Sequence, residues 1–156
     1  RMPRTCGQVF RISASSAPCR AEMPDLQEMS ETYGEKVVIL GIDLGPLTVN
    51  SALGTREDGQ ALLKELGITY PAGVPVDVGP MAAYKILGMP TTVFITPQGA
   101  IWKRWTGYLT KESMGAFIEE LLAYTRAFKE TAFLRLGELY HIPGPSIKGS
   151  AIFFQK

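Results

Sequence analysis

The sequence is poor in the features that mark a metal protein, a nucleic-acid binder or a membrane span. It has one histidine, His141, with no cysteine or carboxylate cluster near it, so no metal site is expected there. Lys and Arg number 16 against 15 Asp and Glu. The resulting net charge of +1 offers no general attraction to nucleic acid or to an acidic membrane. No apolar run reaches the roughly 18–20 residues needed to cross a bilayer. No signal peptide opens the chain. It begins at Arg1 and not at Met, so it is expected to be a trimmed piece, with any leader or anchor lying upstream. There is no internal repeat. Cysteine is scarce too: Cys6 and Cys19 make no disulfide framework, and leave open one bridge, two free thiols or one functional thiol.

What is present is the composition of one globular domain. The 156 residues are 46% hydrophobic and 20% charged. A chain of this length buries about two-thirds of its unfolded surface, so neither a disulfide nor a metal is needed for folding.

Gln8–Ile12 reads as a short strand, with Arg11 breaking its alternation. Ser13–Pro18 is small and polar, as at a turn or the start of a helix. Cys19–Tyr33 reads as a helix with Ala21, Leu26 and Met29 inward, a kink expected at Pro24 and Gly34 at its end. Lys36–Leu44 holds a β-branched run expected to be a central strand buried on both faces. After a loop over Gly45–Thr55, Arg56–Leu66 reads as a helix closed by Gly67. Ile68–Asp77 is expected to be irregular, and Pro80–Leu87 a short helix with Pro80 in its first turn. Thr91–Ile95, the turn Thr96–Gly99 and Ala100–Trp105 form a hairpin. Trp102 and Trp105, three apart, are expected on opposite sides of it. Thr110 caps a helix from Lys111 to about Tyr124, with Met114, Phe117, Ile118, Leu121 and Leu122 on one stripe. This order predicts an α/β fold with a mixed sheet over residues 1–124. Residues 125–156 are expected to form an extension, helical to about Leu139 and then broken by Pro and Gly. Its end, Ala151–Phe154, is either an edge strand or unstructured.

Three motifs stand in a telling order: Ser16-Ala17-Pro18-Cys19-Arg20-Ala21-Glu22-Met23-Pro24 between the first strand and helix, Met89-Pro90-Thr91-Thr92 before the hairpin, and Gly99 in its turn. With Leu66–Pro71, Ala83-Tyr84 and Gly107–Glu112, they resemble the thioredoxin superfamily, and within it the TlpA/ResA-like thiol-disulfide oxidoreductases, over roughly residues 8–124. The resemblance implies a thioredoxin-like fold, central mixed sheet flanked by helices, with Pro90 cis and facing the redox motif. It implies Cys19, Ser16 at the nucleophile position, and Pro90 as catalytic positions. It implies Ala17, Pro18, Met89 and Thr91 as substrate-binding positions. It further implies protein disulfides or dithiols as substrates, apocytochromes c among them, no cofactor, and a place outside the cytoplasm held by an anchor that is not in this domain.

The sequence departs from that pattern at several places. Ser16 replaces the first cysteine of Cys-x-x-Cys, and Ser15 a usual Trp. Arg11 and Ile12 stand at positions that are normally aromatic or apolar. Pro46 falls near where ResA-type proteins carry an active-site Glu, and the N-terminal hairpin of the branch is missing. A thiolate at the helix start attacks a substrate disulfide, and the second thiol resolves the mixed disulfide. A serine hydroxyl at position 16 holds its proton too tightly for the first step. Cys6 cannot stand in: a seven-residue strand spans about 23 Å, and a disulfide needs Cα atoms within about 7 Å. Ser16 reflects an introduced Cys→Ser exchange, a natural loss that leaves a binding domain, or an error in the stretch Arg1–Ser15. Ser16-x-x-Cys19 also resembles the Thr-x-x-Cys of peroxiredoxins. Those usually have Pro seven residues before the Cys, where this chain has Ile12. Asp43, closing the second strand, is either a proton acceptor or a plain loop-start carboxylate.

Overall fold

A computed structural model describes residues 6–12, 16–47 and 53–140, with backbone alone at 6–12 and 131–140. His141, the stretch Ala151–Phe154 and the turn residues Ser13–Ser15 lie outside the described residues, and so does the side chain of Cys6. By internal contacts the chain divides into two compact units, Arg1–Thr125 and Arg126–Lys156.

In the first unit the elements run β1 (Cys6–Ile12), α1 (Ala17–Tyr33), β2 (Val37–Asp43), a 3₁₀ turn (Gly45–Leu47), α2 (Arg56–Glu65), β3 (Ala72–Gly73), α3 (Gly79–Ala83), β4 (Thr91–Ile95) and β5 (Ile101–Thr106). The final helix, α4 (Lys111–Tyr140), starts in this unit and continues into the second. The sheet order is β3-β2-β1-β4-β5. β1, β2 and β3 are parallel, and β4 and β5 return antiparallel. This is the mixed α/β sheet expected from the sequence.

The strand order explains the layering. β1, β2 and β3 step across the sheet in one direction, so right-handed crossovers put α1 and α2 on the same face. Packing agrees: Leu62 of α2 meets Cys19 and Met23 of α1. On that side Leu26 and Met29 of α1, Val37 and Ile39 of β2, Phe94 of β4 and Met114, Ile118 and Leu121 of α4 form the main core. These α4 residues recur every three to four positions, one stripe of a helix.

Several elements differ from the sequence reading. α1 begins two residues early, because Pro18 suits a first turn where no N–H is needed. Its buried stripe is Cys19, Glu22, Met23, Leu26 and Met29, and Ala21 is exposed. β2 is buried on one face only: Val38 is 43% and Leu40 is 38% exposed. β3 appears inside the stretch expected to be irregular; its two residues pair with Gly41 and Ile42. α3 stops at Ala83, four residues short. α2 starts with a reciprocal capping box, Thr55 with Asp58. A register irregularity at Phe94/Ile95 changes the alternation of β5. Trp102 therefore stacks edge-on against Phe94 (6.3 Å) while Trp105 lies against Phe117 (5.9 Å), both rings joining one aromatic group.

Candidate redox site

The site is built at the C-terminal end of the parallel strands, where α1 begins. Ser16 is the N-cap of α1, with extended backbone (φ −84°, ψ 113°). Its carbonyl accepts the Arg20 N–H at 3.0 Å, closing the first turn. Its hydroxyl makes no capping bond to that turn. Ala17 and Pro18 are exposed beside it. The positive end of the helix faces position 16, the setting in which a thiol loses its proton easily. The hydroxyl present there stays protonated at neutral pH.

Cys19 lies one turn further in and is 0% exposed. It clusters with Met23 and Leu62, and Met89 packs on that cluster. The Met89–Pro90 bond is cis. Pro90 is buried, and its carbonyl accepts the Gly107 N–H at 2.9 Å. Gly107 has φ +100°, a conformation open to glycine at no steric cost. Thr91 is buried with its hydroxyl given to the Gly88 carbonyl at 2.7 Å, so its side chain offers nothing to a surface ligand. Of the positions singled out from sequence, the fold thus brings Cys19 and Met89 into one packed cluster. Ser16, Ala17 and Pro18 stand on the turn above it.

A carboxyl group that the sequence reading left without a role lies in this region. Glu22 is 3% exposed, one turn after Cys19 on the same helix face. It accepts a hydrogen bond from the Leu109 N–H, just before α4. Burial pushes its pKa up to about 7; the Leu109 bond opposes this, and nearby Asp25 adds to it. Pro46, by contrast, lies in the 3₁₀ turn after β2 and supplies no acid. The signal for Glu22 was in the sequence: a carboxylate on the stripe Cys19, Met23, Leu26, Met29 is placed to be buried. Tyr70, 4% exposed, is the second missed residue. Its hydroxyl has no hydrogen-bond partner among the described residues.

Asp43 closes β2 as expected and is buried. One carboxylate oxygen accepts the Gly45 N–H at 2.9 Å. Burial raises its pKa and that bond restrains the rise. It lines a pocket of about 80 Å³ with Arg56, Gly59, Gln60, Leu63 and Ala72. Leu63 and Ala72 also pack against the Cys19 cluster. Gly59 lies so close that an added Cβ would come within 2.7 Å of the Asp43 carboxylate. Gly→Ala inside a helix normally stabilises by up to about 1 kcal/mol. Here Gly59→Ala should instead destabilise by about 1–3 kcal/mol, read from urea unfolding. A gain in stability would show that α2 does not press on Asp43.

Comparison with protein families gives no match. Among curated proteins, the thiol-disulfide oxidoreductase ResA of Oceanobacillus iheyensis is 30% identical over 104 residues, covering 67% of this chain and 50% of that protein. The ResA of Halalkalibacterium halodurans is 28% identical over 102 residues. The chain spans about half the length of the curated relatives it matches. Among solved structures, a DsbF homologue from Corynebacterium diphtheriae superposes with TM-score 0.62 at 26% identity, covering 76% of this chain and 73% of that one. The exposed lipoprotein thioredoxin Etrx1 of Streptococcus pneumoniae superposes with TM-score 0.62 at 21% identity, covering 75% and 85%. The curated relatives of this chain are thus ResA thiol-disulfide oxidoreductases, and its structural neighbours share its thioredoxin-like fold.

Proposed function

We propose that this chain carries the scaffold of a thiol-disulfide oxidoreductase for protein substrates, with turnover stopped at one atom, the Ser16 oxygen. The observation that carries this reading is the packing of Met89, beside cis Pro90, on the cluster that holds Cys19. With a thiol at position 16, its thiolate attacks one sulfur of a substrate disulfide. A mixed disulfide forms and the other substrate cysteine leaves as thiolate. Cys19, deprotonated, then attacks the sulfur at position 16 and expels the second substrate thiolate. The substrate has gained two electrons, and the protein holds a 16–19 disulfide that an external dithiol reduces. Glu22, with a pKa near neutral, is suited to take the Cys19 proton. Ala17, Pro18 and Met89 border the position where the substrate chain would lie. The exposed lipoprotein among the structural neighbours supports a place outside the cytoplasm; apocytochromes c as substrates rest on the resemblance of the motifs to the TlpA/ResA branch alone.

Ser16 itself favours a second reading, a domain that binds such substrates without redox chemistry. A peroxidase using Cys19 fits less well, because that thiol is fully buried. The test is reduction of insulin disulfides by Ser16→Cys with dithiothreitol as recycling reductant. Turnover above the dithiothreitol background supports the oxidoreductase scaffold. Insulin bound without turnover supports the binding domain.

A further inference from the structure

The pocket beside Asp43 is lined by two opposite charges that do not pair with each other. Asp43 ends β2 and is only 5% exposed. Its Oδ1 accepts the Gly45 N–H at 2.9 Å, while Oδ2 is turned toward α2. Gly59 leaves that oxygen open, since a Cβ there would come within 2.7 Å of it. Burial raises the Asp43 pKa, as for a carboxylate short of counter-charge. Arg56, the first residue of α2, lines the same pocket and is exposed. No ion pair joins it to Asp43, and among the described residues it has no ion-pair partner. The other acids of that first turn, Glu57 and Asp58, do not line the pocket, and Asp58 is engaged by Thr55. Gln60 adds an amide, and Leu63, Ala72 and Val74 supply an apolar wall. Ser16, Cys19, Met89 and Pro90 are not among the lining residues, so a ligand there leaves the proposed substrate groove free.

We propose that this pocket binds a small free α-amino acid as its zwitterion, with the ammonium on Asp43 and the carboxylate on Arg56. The two charges set the class of ligand. A purely cationic molecule would meet the Arg56 guanidinium without a partner for it, and a purely anionic one would meet the Asp43 carboxylate. A zwitterion satisfies both ends with charge-assisted hydrogen bonds. The volume sets the size: about 80 Å³ is room for roughly five to eight water molecules, enough for glycine, alanine or serine and too little for an aromatic amino acid. The apolar wall favours a short aliphatic side chain, so alanine is the natural probe. This binding goes beyond the disulfide chemistry proposed above and needs none of it.

The test is a titration of the full chain with L-alanine near neutral pH, followed by NMR at the Gly59 and Gly73 amides, which line the pocket. Saturable shifts at those amides are expected, with half-saturation below about 10 mM. Ethylamine and acetate each carry one of the two charges and should bind at least about tenfold more weakly. Arg56→Gln changes an exposed side chain, so the fold stays in place, and L-alanine should bind at least about tenfold more weakly. Asp43→Asn should weaken it as much; if that variant does not fold, Arg56→Gln decides alone. No saturable shift up to about 50 mM L-alanine would overturn the proposal. So would equal binding of ethylamine or acetate, or L-alanine binding unchanged in Arg56→Gln. The readout involves no thiol, so its failure and the failure of the oxidoreductase reading are distinguishable.

Discussion

Ser16→Cys should give a protein whose two site thiols differ in reactivity toward iodoacetamide by at least about a hundredfold at pH 7. Position 16 is a helix N-cap, partly open, at the positive end of α1. The helix dipole stabilises a thiolate there. Cys19 sits in an apolar cluster with no exposed surface, which keeps its thiol out of reach. The substitution should cost little stability, within about 0.5 kcal/mol, because the Ser16 hydroxyl makes no capping bond. Mass spectrometry of peptides after timed alkylation reads both rates. Equal labelling of the two cysteines would mean that α1 does not shelter Cys19.

Glu22→Gln should be more stable than the unchanged chain at pH 8 and close to it at pH 4. The direction follows from linkage. Glu22 binds its proton more tightly in the folded protein, with a pKa of about 7 against 4.5 unfolded. Stability linked to that proton is fully present below about pH 4.5. It falls as the unfolded chain ionises first, and is lost once pH passes about 7. Allowing for solvent screening, the loss is roughly 2 kcal/mol, or about 5 °C in melting temperature for a chain of this size. The glutamine carbonyl keeps an acceptor for the Leu109 N–H, so the charge is removed without orphaning the donor. Thermal unfolding across pH 4–8 should show a downward slope in the unchanged chain and a flatter line in the variant. Parallel curves would mean that Glu22 is not the group that titrates.

The sequence made the frame of this site legible because its signals are local. Pro18 inside a first turn, Pro90 before a β-branched strand and Gly99 in a hairpin turn each constrain the chain where they stand. Glu22 was visible as a letter of the motif but not as a buried acid, because burial depends on Leu109, 87 residues away. Tyr70 was hidden for the same reason: its surroundings come from α1 and the start of α4. β3 escaped because two residues carry no periodicity, and only pairing with Gly41 and Ile42 defines it. The reading of β2 as doubly buried came from composition alone. Val38 and Leu40 are β-branched or aliphatic like their neighbours, yet they face away from the helices that cover Val37 and Ile39. The capping box at Thr55 and Asp58 was readable from spacing and was missed inside a loop assignment.

The central claim is that a redox scaffold is intact and lacks one sulfur. The most direct measurement is equilibration of the Ser16→Cys protein in glutathione redox buffers, with the products weighed by mass spectrometry. Positions 16 and 19 lie one helical turn apart at the start of α1. The account predicts a single two-electron transition to an internal 16–19 disulfide, two mass units lighter than the dithiol, with little glutathione adduct. A protein that accumulates glutathione on position 16 while Cys19 stays a free thiol at every ratio would contradict it.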